Sequence, residues 1–237
     1  MNTLYEENLD GRINQMNNQE KQLFGSWIQA VGTVMNAVGS TPSDKINEEQ
    51  QDDLNLWGNV LQAVGNALIA DGTEMISLNK LGNEVQAIGN TTVVGGILLD
   101  FQEKTKKSLI IKGNLLQAVG GGMAIADTLE EEPSLEKALN VIGDLLQVIG
   151  NSLQVIAGIN ELQRGTEEDD DKQESDNESK QESMEQINYF RKNSSEKNQE
   201  DKGGDPLDIT GSWIQAVGSV ISAIVQTRSS QDESNLS

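Results

Sequence analysis

The polar side chain that recurs at a fixed place in this chain is glutamine. It is the fifth residue of an eight-residue phrase that occurs six times, at Gln29, Gln62, Gln86, Gln117, Gln147 and Gln215. A carboxamide donates and accepts hydrogen bonds, but it is neither a nucleophile nor a proton-transfer group at neutral pH. Two interpretations stay open: a solvated helix face, or hydrogen bonds between helices to a backbone carbonyl or to another glutamine.

Other side chains that carry out chemistry are scarce. The 237 residues include no cysteine and no histidine, so there is no thiolate and no imidazole for catalysis or metal binding. The chain has no phosphate-binding loop and no nucleophile elbow, and its acidic run "EEDDDKQESDNE" lacks the glycine and glutamate spacing of a calcium loop. We therefore expect no cofactor, no metal and no catalytic residue.

The charge balance restricts the partners. A formal net charge of −21 repels nucleic acid and anionic membrane surfaces. The favoured partner is therefore the chain itself or another helical protein. The N-terminus lacks a basic stretch followed by an apolar run, so we expect a cytoplasmic protein, with membrane association as the less favoured possibility.

The phrase also predicts the secondary structure. In the first copy, apolar residues recur at spacings of three and four, which is the period of an α-helix with one apolar stripe. They are Phe24, Trp27, Ile28, Val31, Val34, Met35 and Val38. A repeat of this kind cannot bury its stripe alone, so we expect neighbouring copies to cover it.

Two glycines, seven residues apart, frame every copy. They are Gly25, Gly32, Gly58, Gly65, Gly82, Gly89, Gly113, Gly120, Gly143, Gly150, Gly211 and Gly218. A glycine inside a helix costs about 1 kcal/mol relative to alanine, so another interaction must offset it. Seven residues are two helical turns, and a line of glycines lets a second backbone come close. We expect these glycines to be the helix-packing positions.

The three tryptophans allow two interpretations. Trp27 and Trp213 occupy the same place in the identical first and last copies, "GSWIQAVG", and Trp57 lies just before the second copy. A tryptophan buries a large apolar area, which favours anchors in the core. Tryptophan is also common at binding hot spots, which would make these residues contact anchors on a surface.

The chain divides by composition into five parts. Residues 1–22 are a polar segment, residues 23–162 hold five copies, residues 163–206 are an acidic linker poor in apolar residues, residues 207–228 hold the sixth copy, and residues 229–237 form a tail. The linker and the tail are predicted to be disordered. The fold prediction is all-α: glycine-lined amphipathic helices packed as an antiparallel bundle or a short helical array, with the sixth helix tethered by the linker.

The recurring G-x-x-[apolar]-Q-A-[apolar]-G phrase resembles a family of repetitive proteins of Gram-positive spore-formers that carry tandem W-x-Q-A-x-G units. The resemblance covers the six copies and implies a bacterial source, but no activity and no functional residue. From the sequence we expect a non-enzymatic structural or interaction protein, which self-assembles through glycine-lined helix faces. The alternative is a membrane-inserting glycine-zipper protein, and an enzyme of unknown reaction is less favoured.

Overall fold

The structure is a computed structural model that describes residues 17–178 and 204–236, with side chains for residues 17–165 and 204–232. Six helices account for nearly all of these residues: α1 (Asn18–Gly39), α2 (Glu48–Gly72), α3 (Leu78–Leu98), α4 (Glu103–Leu129), α5 (Leu135–Glu178) and α6 (Pro206–Leu236). Residues 1–16 of the predicted N-terminal polar segment and residues 179–203 of the predicted linker lie outside the described residues.

The first helices begin at residues whose side chains cap the free backbone N–H groups. Asn17 accepts a hydrogen bond from the Glu20 backbone, and Glu20 accepts one from the Asn17 backbone, which is a capping box. Asn47 and Gln50 form the same arrangement at α2. Ser77 caps α3 through the backbone of Lys80. These caps fix where each helix leaves its turn, which sets the register of the glycines that follow.

The six helices form a closed ring. Each helix packs against the helices before and after it in the chain, and α6 packs against α1. Among the described residues, helices on opposite sides of the ring have no backbone contact. Neighbours run antiparallel, because the start of one glycine phrase meets the end of the next. The prediction of an all-α antiparallel bundle is confirmed, and the ring leaves a central space between the helices.

Backbone contacts at glycine join the helices in three pairs: α1 with α2, α3 with α4, and α5 with α6. In the first pair, a Cβ at Gly32 would lie 2.6 Å from the carbonyl oxygen of Gly58, and a Cβ at Gly65 would lie 2.6 Å from that of Gly25. The same reciprocal contacts join the other two pairs. All twelve predicted packing glycines lie at such contacts, where no other residue fits without a shift of the backbone.

The identical first and last copies are neighbours in the ring. Trp27 Nε1 donates to Thr227 Oγ1 at 3.0 Å, and Trp213 Nε1 donates to Thr41 Oγ1 at 3.0 Å. Midway between these two bonds, the hydroxyls of Thr33 and Ser219 share a hydrogen bond. In this structure the sixth copy therefore docks on its own chain, and α1 and α6 close the ring through reciprocal contacts.

Two predicted boundaries change. Helix α6 continues to Leu236, so the prediction of a disordered tail at residues 229–237 is wrong for residues 229–236. Helix α5 continues to Glu178, into the first part of the predicted linker. Both extensions are rich in Glu, Gln, Asp and Ser. A helix that has already formed in a packed region is easily extended, and polar composition does not predict this extension.

The glycine contacts predict a sharp difference between two glycines of one helix. A Cβ at Gly120 would meet the Gly82 carbonyl and would lie 2.7 Å from Gln86 Cγ, whereas a Cβ at Gly122 would meet nothing within 4 Å. Gly120→Ala is expected to destabilise the fold by about 1–3 kcal/mol through overpacking. Gly122→Ala is expected to stabilise it by up to about 1 kcal/mol through helix propensity. Thermal unfolding followed by circular dichroism measures both, and equal shifts would contradict the packing.

The docking of α6 on α1 can be tested with an engineered disulfide between the two helices. The chain lacks cysteine, and the Thr33 and Ser219 hydroxyls are in direct contact, so Thr33→Cys combined with Ser219→Cys is expected to oxidise within the monomer. A non-reducing gel separates this product from a disulfide-linked dimer, which would show docking between chains. The control pair, Thr33→Cys with Ser152→Cys, places one thiol on α5, which has no backbone contact with α1, and should not cross-link.

Candidate functional site

The interior of the ring is polar. Its buried polar side chains include Ser26, Gln29, Thr33, Asn36, Asn59, Gln62, Asn66, Asn83, Gln86, Asn90, Asn114, Gln117, Gln147, Asn151, Gln154, Ser212, Gln215 and Ser219. The buried apolar side chains are small: eight alanines, with Val93 and Val225. Gln62, at 1% exposure, is the largest side chain that is fully buried. The described core therefore consists of amides, hydroxyls, glycine and alanine instead of large aliphatic residues.

The large apolar side chains lie on the outside. Phe24, Val31 and Val34 of the predicted stripe are 53%, 51% and 38% exposed, and the equivalent residues of the other copies are exposed in the same way. The prediction that neighbouring copies bury this stripe is therefore wrong. The glycine contacts rotate each helix so that the stripe faces away from the ring axis, because the residues beside the glycines point inward.

The three tryptophans are exposed together with the apolar stripe. Trp27, Trp57 and Trp213 are 40%, 56% and 43% exposed. The interpretation as core anchors is wrong, and the three indoles lie on the outer surface. Two of them still fix the ring, because the N–H groups of Trp27 and Trp213 bond to threonines across the seam between α1 and α6.

The glutamines meet in the centre of the ring. Gln215 Nε2 of α6 donates to the Oε1 atoms of Gln62 at 3.1 Å and of Gln117 at 3.2 Å, and Gln154 Nε2 donates to Gln215 Oε1 at 3.5 Å. Gln29 of α1 donates to Gln147 of α5 at 2.9 Å. Most of these bonds join helices that are not neighbours in the ring, so the amides cross the central space. We call these five repeat glutamines, with Gln154, the glutamine layer.

All six repeat glutamines are buried, so the interpretation as a solvated helix face is wrong. Five of them make the hydrogen bonds between helices described above. Gln86 is 7% exposed and faces the same interior, but the described contacts give its amide no bond to another helix. Its backbone carbonyl accepts from Asn90 Nδ2 at 3.0 Å.

A second polar position completes the interior, and the sequence analysis missed it. The residue that follows each packing glycine is Ser26, Thr33, Asn59, Asn66, Asn83, Asn90, Asn114, Gly121, Asp144, Asn151, Ser212 or Ser219. Eleven of these twelve are short and polar, and with the glutamines they form an inward stripe at helical spacing. The signal was present in the sequence, since the stripe contains amides and hydroxyls but, apart from Asp144, no charge.

Two cavities lie along the axis. One, of about 200 Å³, is lined by residues of all six helices, among them Asn36, Asn59, Val93, Asn114, Gln154 and Asp208. The other, of about 220 Å³, is also lined by all six helices, with Gln29, Ile69, Gln86, Ala124, Gln147 and Ser222 among its residues. We name them the Asp208 vestibule and the Asp144 vestibule, after the carboxyl group in each. Members of the glutamine layer line both, so the layer lies between them.

Several amide groups in the interior lack a partner in the protein. Both amide atoms of Asn66 are buried without a hydrogen bond, and so are Gln62 Nε2, Asn90 Oδ1 and Asn151 Oδ1. A buried amide without a partner costs about 1–3 kcal/mol. Ordered water satisfies such groups in polar cavities that have room for it. The arrangement therefore fits a hydrated interior better than a dry one.

Charged groups gather at the ends of the helices. The Lys21 ammonium lies 2.7 Å from the Asp71 carboxylate and joins the start of α1 to the end of α2. Its hydrogen bond and its charge hold the pKa of Asp71 below the ordinary value. At the other end of the ring, Arg164 of α5 bonds to Asp205 at 2.8 Å. These exposed pairs mark the ends of the ring and contribute little to its stability.

The geometry defines the class of this protein: a closed ring of glycine-paired helices with a polar axis and an apolar outer surface. Within the described residues, no group of histidine, cysteine, aspartate and glutamate side chains could hold a metal ion. Residues 20–181 match the family of unknown function DUF6944, and the chain belongs to that family. No curated protein and no solved structure matches it.

Because the repeat glutamines are buried, replacing the amide of one of them with a carboxylate is expected to lower the stability of the fold. Gln62→Glu replaces a fully buried amide that accepts from Gln215 with a carboxylate and is expected to lower stability by a few kcal/mol, on the order of the cost of an unpaired buried charge. The matched control is Gln163→Glu on exposed α5 surface, which should change stability by less than about 0.5 kcal/mol. Thermal melts of both variants decide, and a stable Gln62→Glu protein would contradict the buried layer.

Proposed function

We propose that this chain is a non-enzymatic, membrane-inserting helical repeat protein, whose outer surface contacts lipid and whose polar residues face a central lumen. The observation that carries the proposal is the inverted arrangement of side chains: amides and hydroxyls inside, and large aliphatic and aromatic side chains outside. Of the functions that the sequence allowed, this geometry best supports the membrane-inserting one.

The physical argument rests on the surrounding solvent. In water, exposed aliphatic and aromatic side chains and buried amides without partners are both unfavourable, and soluble monomers rarely expose large contiguous apolar surfaces. In a bilayer the outer side chains are solvated by acyl chains, and polar groups have to face the bundle interior or a water-filled cavity. The same structure is therefore favourable in lipid and unfavourable in water.

The lengths of the helices agree with a bilayer. The α-helices within Glu103–Leu129, Leu135–Gly165 and Pro206–Asp232 are long and apolar enough to cross a membrane. In α1 and α2, residues 22–39 and 54–70 carry no charge, which gives about 25 Å of uncharged helix at 1.5 Å per residue. This is close to the hydrocarbon thickness of about 30 Å. The inward amides lower the hydropathy of these helices, although lipid would contact only their apolar faces.

The tryptophans lie near the edges of this uncharged zone. Trp27 follows Lys21 by six residues, Trp57 follows Asp53 by four, and Trp213 follows Asp208 by five. One to two helical turns therefore separate each indole from the first charge. Tryptophan is enriched at membrane–water interfaces, where its ring contacts the acyl region and its N–H stays near polar groups. The positions of the indoles support a membrane boundary near each end of the ring.

The acidic composition is compatible with this arrangement because of where the acids lie. The sequence places them near the helix ends and in residues 163–206, and leaves the middle of most helices uncharged. Two acids are exceptions: Glu84 of α3, an exposed carboxylate within the outer surface, and Asp144 of α5, which belongs to the inward stripe. The net charge therefore belongs to the aqueous ends, and it favours lipids of neutral or positive headgroup over anionic ones.

A second candidate function is the interaction protein that the sequence favoured, with the outer surface covered by another helical protein or by a second copy. The shallow apolar groove between α2 and α3 favours it, because it is lined by small residues such as Ala63, Ala67 and Ala87, which admit a close helix. Glu84, on the outer face of the same α3, also disfavours full contact with lipid there.

A charge on the outer surface tests membrane insertion directly. Val217, 52% exposed, lies in the middle of α6, and Val217→Glu is expected to abolish insertion, since an acidic residue at the centre of a spanning helix costs about 3 kcal/mol. Thr210→Glu adds the same charge at the polar end of α6 and should leave insertion unchanged. Flotation of purified protein with phosphatidylcholine vesicles measures insertion, together with quenching of tryptophan fluorescence by brominated acyl chains.

The outcomes separate the candidates. Flotation with quenching of the wild type and of Thr210→Glu, and its loss in Val217→Glu, supports membrane insertion. Wild-type protein that stays with the soluble fraction as a discrete oligomer, measured by light scattering, overturns membrane insertion in favour of self-assembly. A soluble monomer that neither floats nor assembles overturns both.

A further inference from the structure

The central space of the ring has features that a membrane anchor alone does not need. Two cavities open along the axis, and each is lined by all six helices. Their linings combine amides and hydroxyls with carboxylates: Asp208 and Asp52 in one, and Asp144 and Glu131 in the other. Members of the glutamine layer line both cavities. A glycine-packed bundle could anchor itself in lipid equally well with aliphatic side chains at these inward positions.

We propose that the axis of the ring is a pathway for water and monovalent cations, closed in this conformation by the glutamine layer and made cation-selective by the carboxylates of its two vestibules. This inference rests on the proposed membrane insertion and adds a transported substrate class to it.

The lining supports hydrated ions. Amide and hydroxyl oxygens replace part of the hydration shell of a cation, and rings of carboxylates favour cations over anions. Asp144 is within hydrogen-bonding reach of Ser222, and Asp208 of Ser40, so both carboxyl groups are held at the wall of the space. No described lysine or arginine lines either vestibule. When these carboxyl groups are ionised, the electrostatic field along the axis attracts cations at both entrances.

The unpartnered amides lie deep in the same polar interior, although they line neither vestibule. Asn66 is 1% exposed and Asn90 is fully buried, yet both retain amide atoms without a partner. They belong to the inward stripe, one helical turn from Gln62 and Gln86. Groups of this kind are typical of positions that bind ordered water. A chain of such sites next to the glutamine layer would hydrate an ion on both sides of the closure.

The closure consists of side chains and not of helix backbones. The central bonds run from Gln215 to Gln62 and Gln117, and from Gln29 to Gln147. Opposite helices have no backbone contact, so in this proposal the closure opens by rotation of these side chains. Long glutamine side chains have low-energy rotamers along the wall as well as across the axis. The pathway can therefore open without any change in the glycine pairing of the helices.

The test is current through planar phosphatidylcholine bilayers that contain the full chain, with KCl at unequal concentrations on the two sides. Gln215→Ala removes the bonds to Gln62 and Gln117 and is expected to raise the conductance about tenfold or more, the population shift that two lost hydrogen bonds produce. Gln29→Ala, which removes the second crossing bond, should raise it in the same direction. The matched control is Val217→Ala, on the outer face of the same turn of α6, which should leave conductance unchanged.

Selectivity supplies the second readout. The reversal potential of the wild type and of Gln215→Ala should have the sign for potassium, and the double change Asp144→Asn with Asp208→Asn should move it towards zero. A thiol reagent applied to Asn114→Cys, at the wall of the Asp208 vestibule, should block the current, because no other cysteine is present. Helicity and vesicle flotation of each variant show that it has folded and inserted.

The results distinguish the two proposals. Protein that floats with vesicles but conducts no ions, either as wild type or as Gln215→Ala and Gln29→Ala, overturns the pathway and leaves membrane insertion intact. A current with chloride selectivity, or one unchanged by Asn114→Cys with the reagent, also overturns it. Protein that does not insert overturns both proposals together.

Discussion

The structure depends on one constraint, the contact of glycine Cα atoms with backbone carbonyls of the neighbouring helix. In each helix pair two glycines meet two glycines, and a Cβ at Gly25 or Gly150 would lie 2.7 or 2.5 Å from a carbonyl oxygen. Such contacts bring two backbones together along a line and also fix the rotation of each helix about its own axis. Once the glycine line faces the partner, the residue after each glycine points to the axis of the ring, and the aliphatic stripe has to point outward.

Rotation therefore determines what fills the centre. Six helices in a ring leave a space that the inward side chains must span, and glutamine reaches farther than asparagine, serine or threonine. This explains why the glutamine layer crosses the axis at Gln215 and Gln29, while amide atoms of Asn66, Asn90 and Asn151 have no partner in the protein. The alternation of short and long polar side chains produces two polar cavities with a layer of glutamines between them, instead of a filled core.

The positions of the helices were predicted correctly from the sequence, but the face of each helix that points to the ring axis was predicted wrongly. The period of the apolar residues predicted the helices, and the paired glycines predicted where they touch, because both follow from local geometry. The rotation was mispredicted, since the expectation for a soluble protein puts Val31 and Ile149 inside. The informative residues were the polar ones: a solvated face normally uses lysine and glutamate, whereas Gln62, Asn90 and Thr33 belong to a stripe of amides and hydroxyls. Such a stripe is typical of a buried polar surface.

The identity of the first and last copies follows from the closure of the ring. The other neighbours are consecutive in the chain, and only α1 and α6 have to find each other across the whole sequence. Their contact is reciprocal: an offset of 186 residues relates Trp27 to Trp213, Thr33 to Ser219 and Thr41 to Thr227, and each tryptophan bonds to the threonine of the other copy. A local twofold relation of this kind places equivalent residues in equivalent environments, so each side chain has to satisfy the same contacts in both copies. The ring closes because α6 carries the same contact residues as α1, so each helix satisfies the hydrogen bonds of the other. A more divergent final copy would leave this face of α1 without a matching helix.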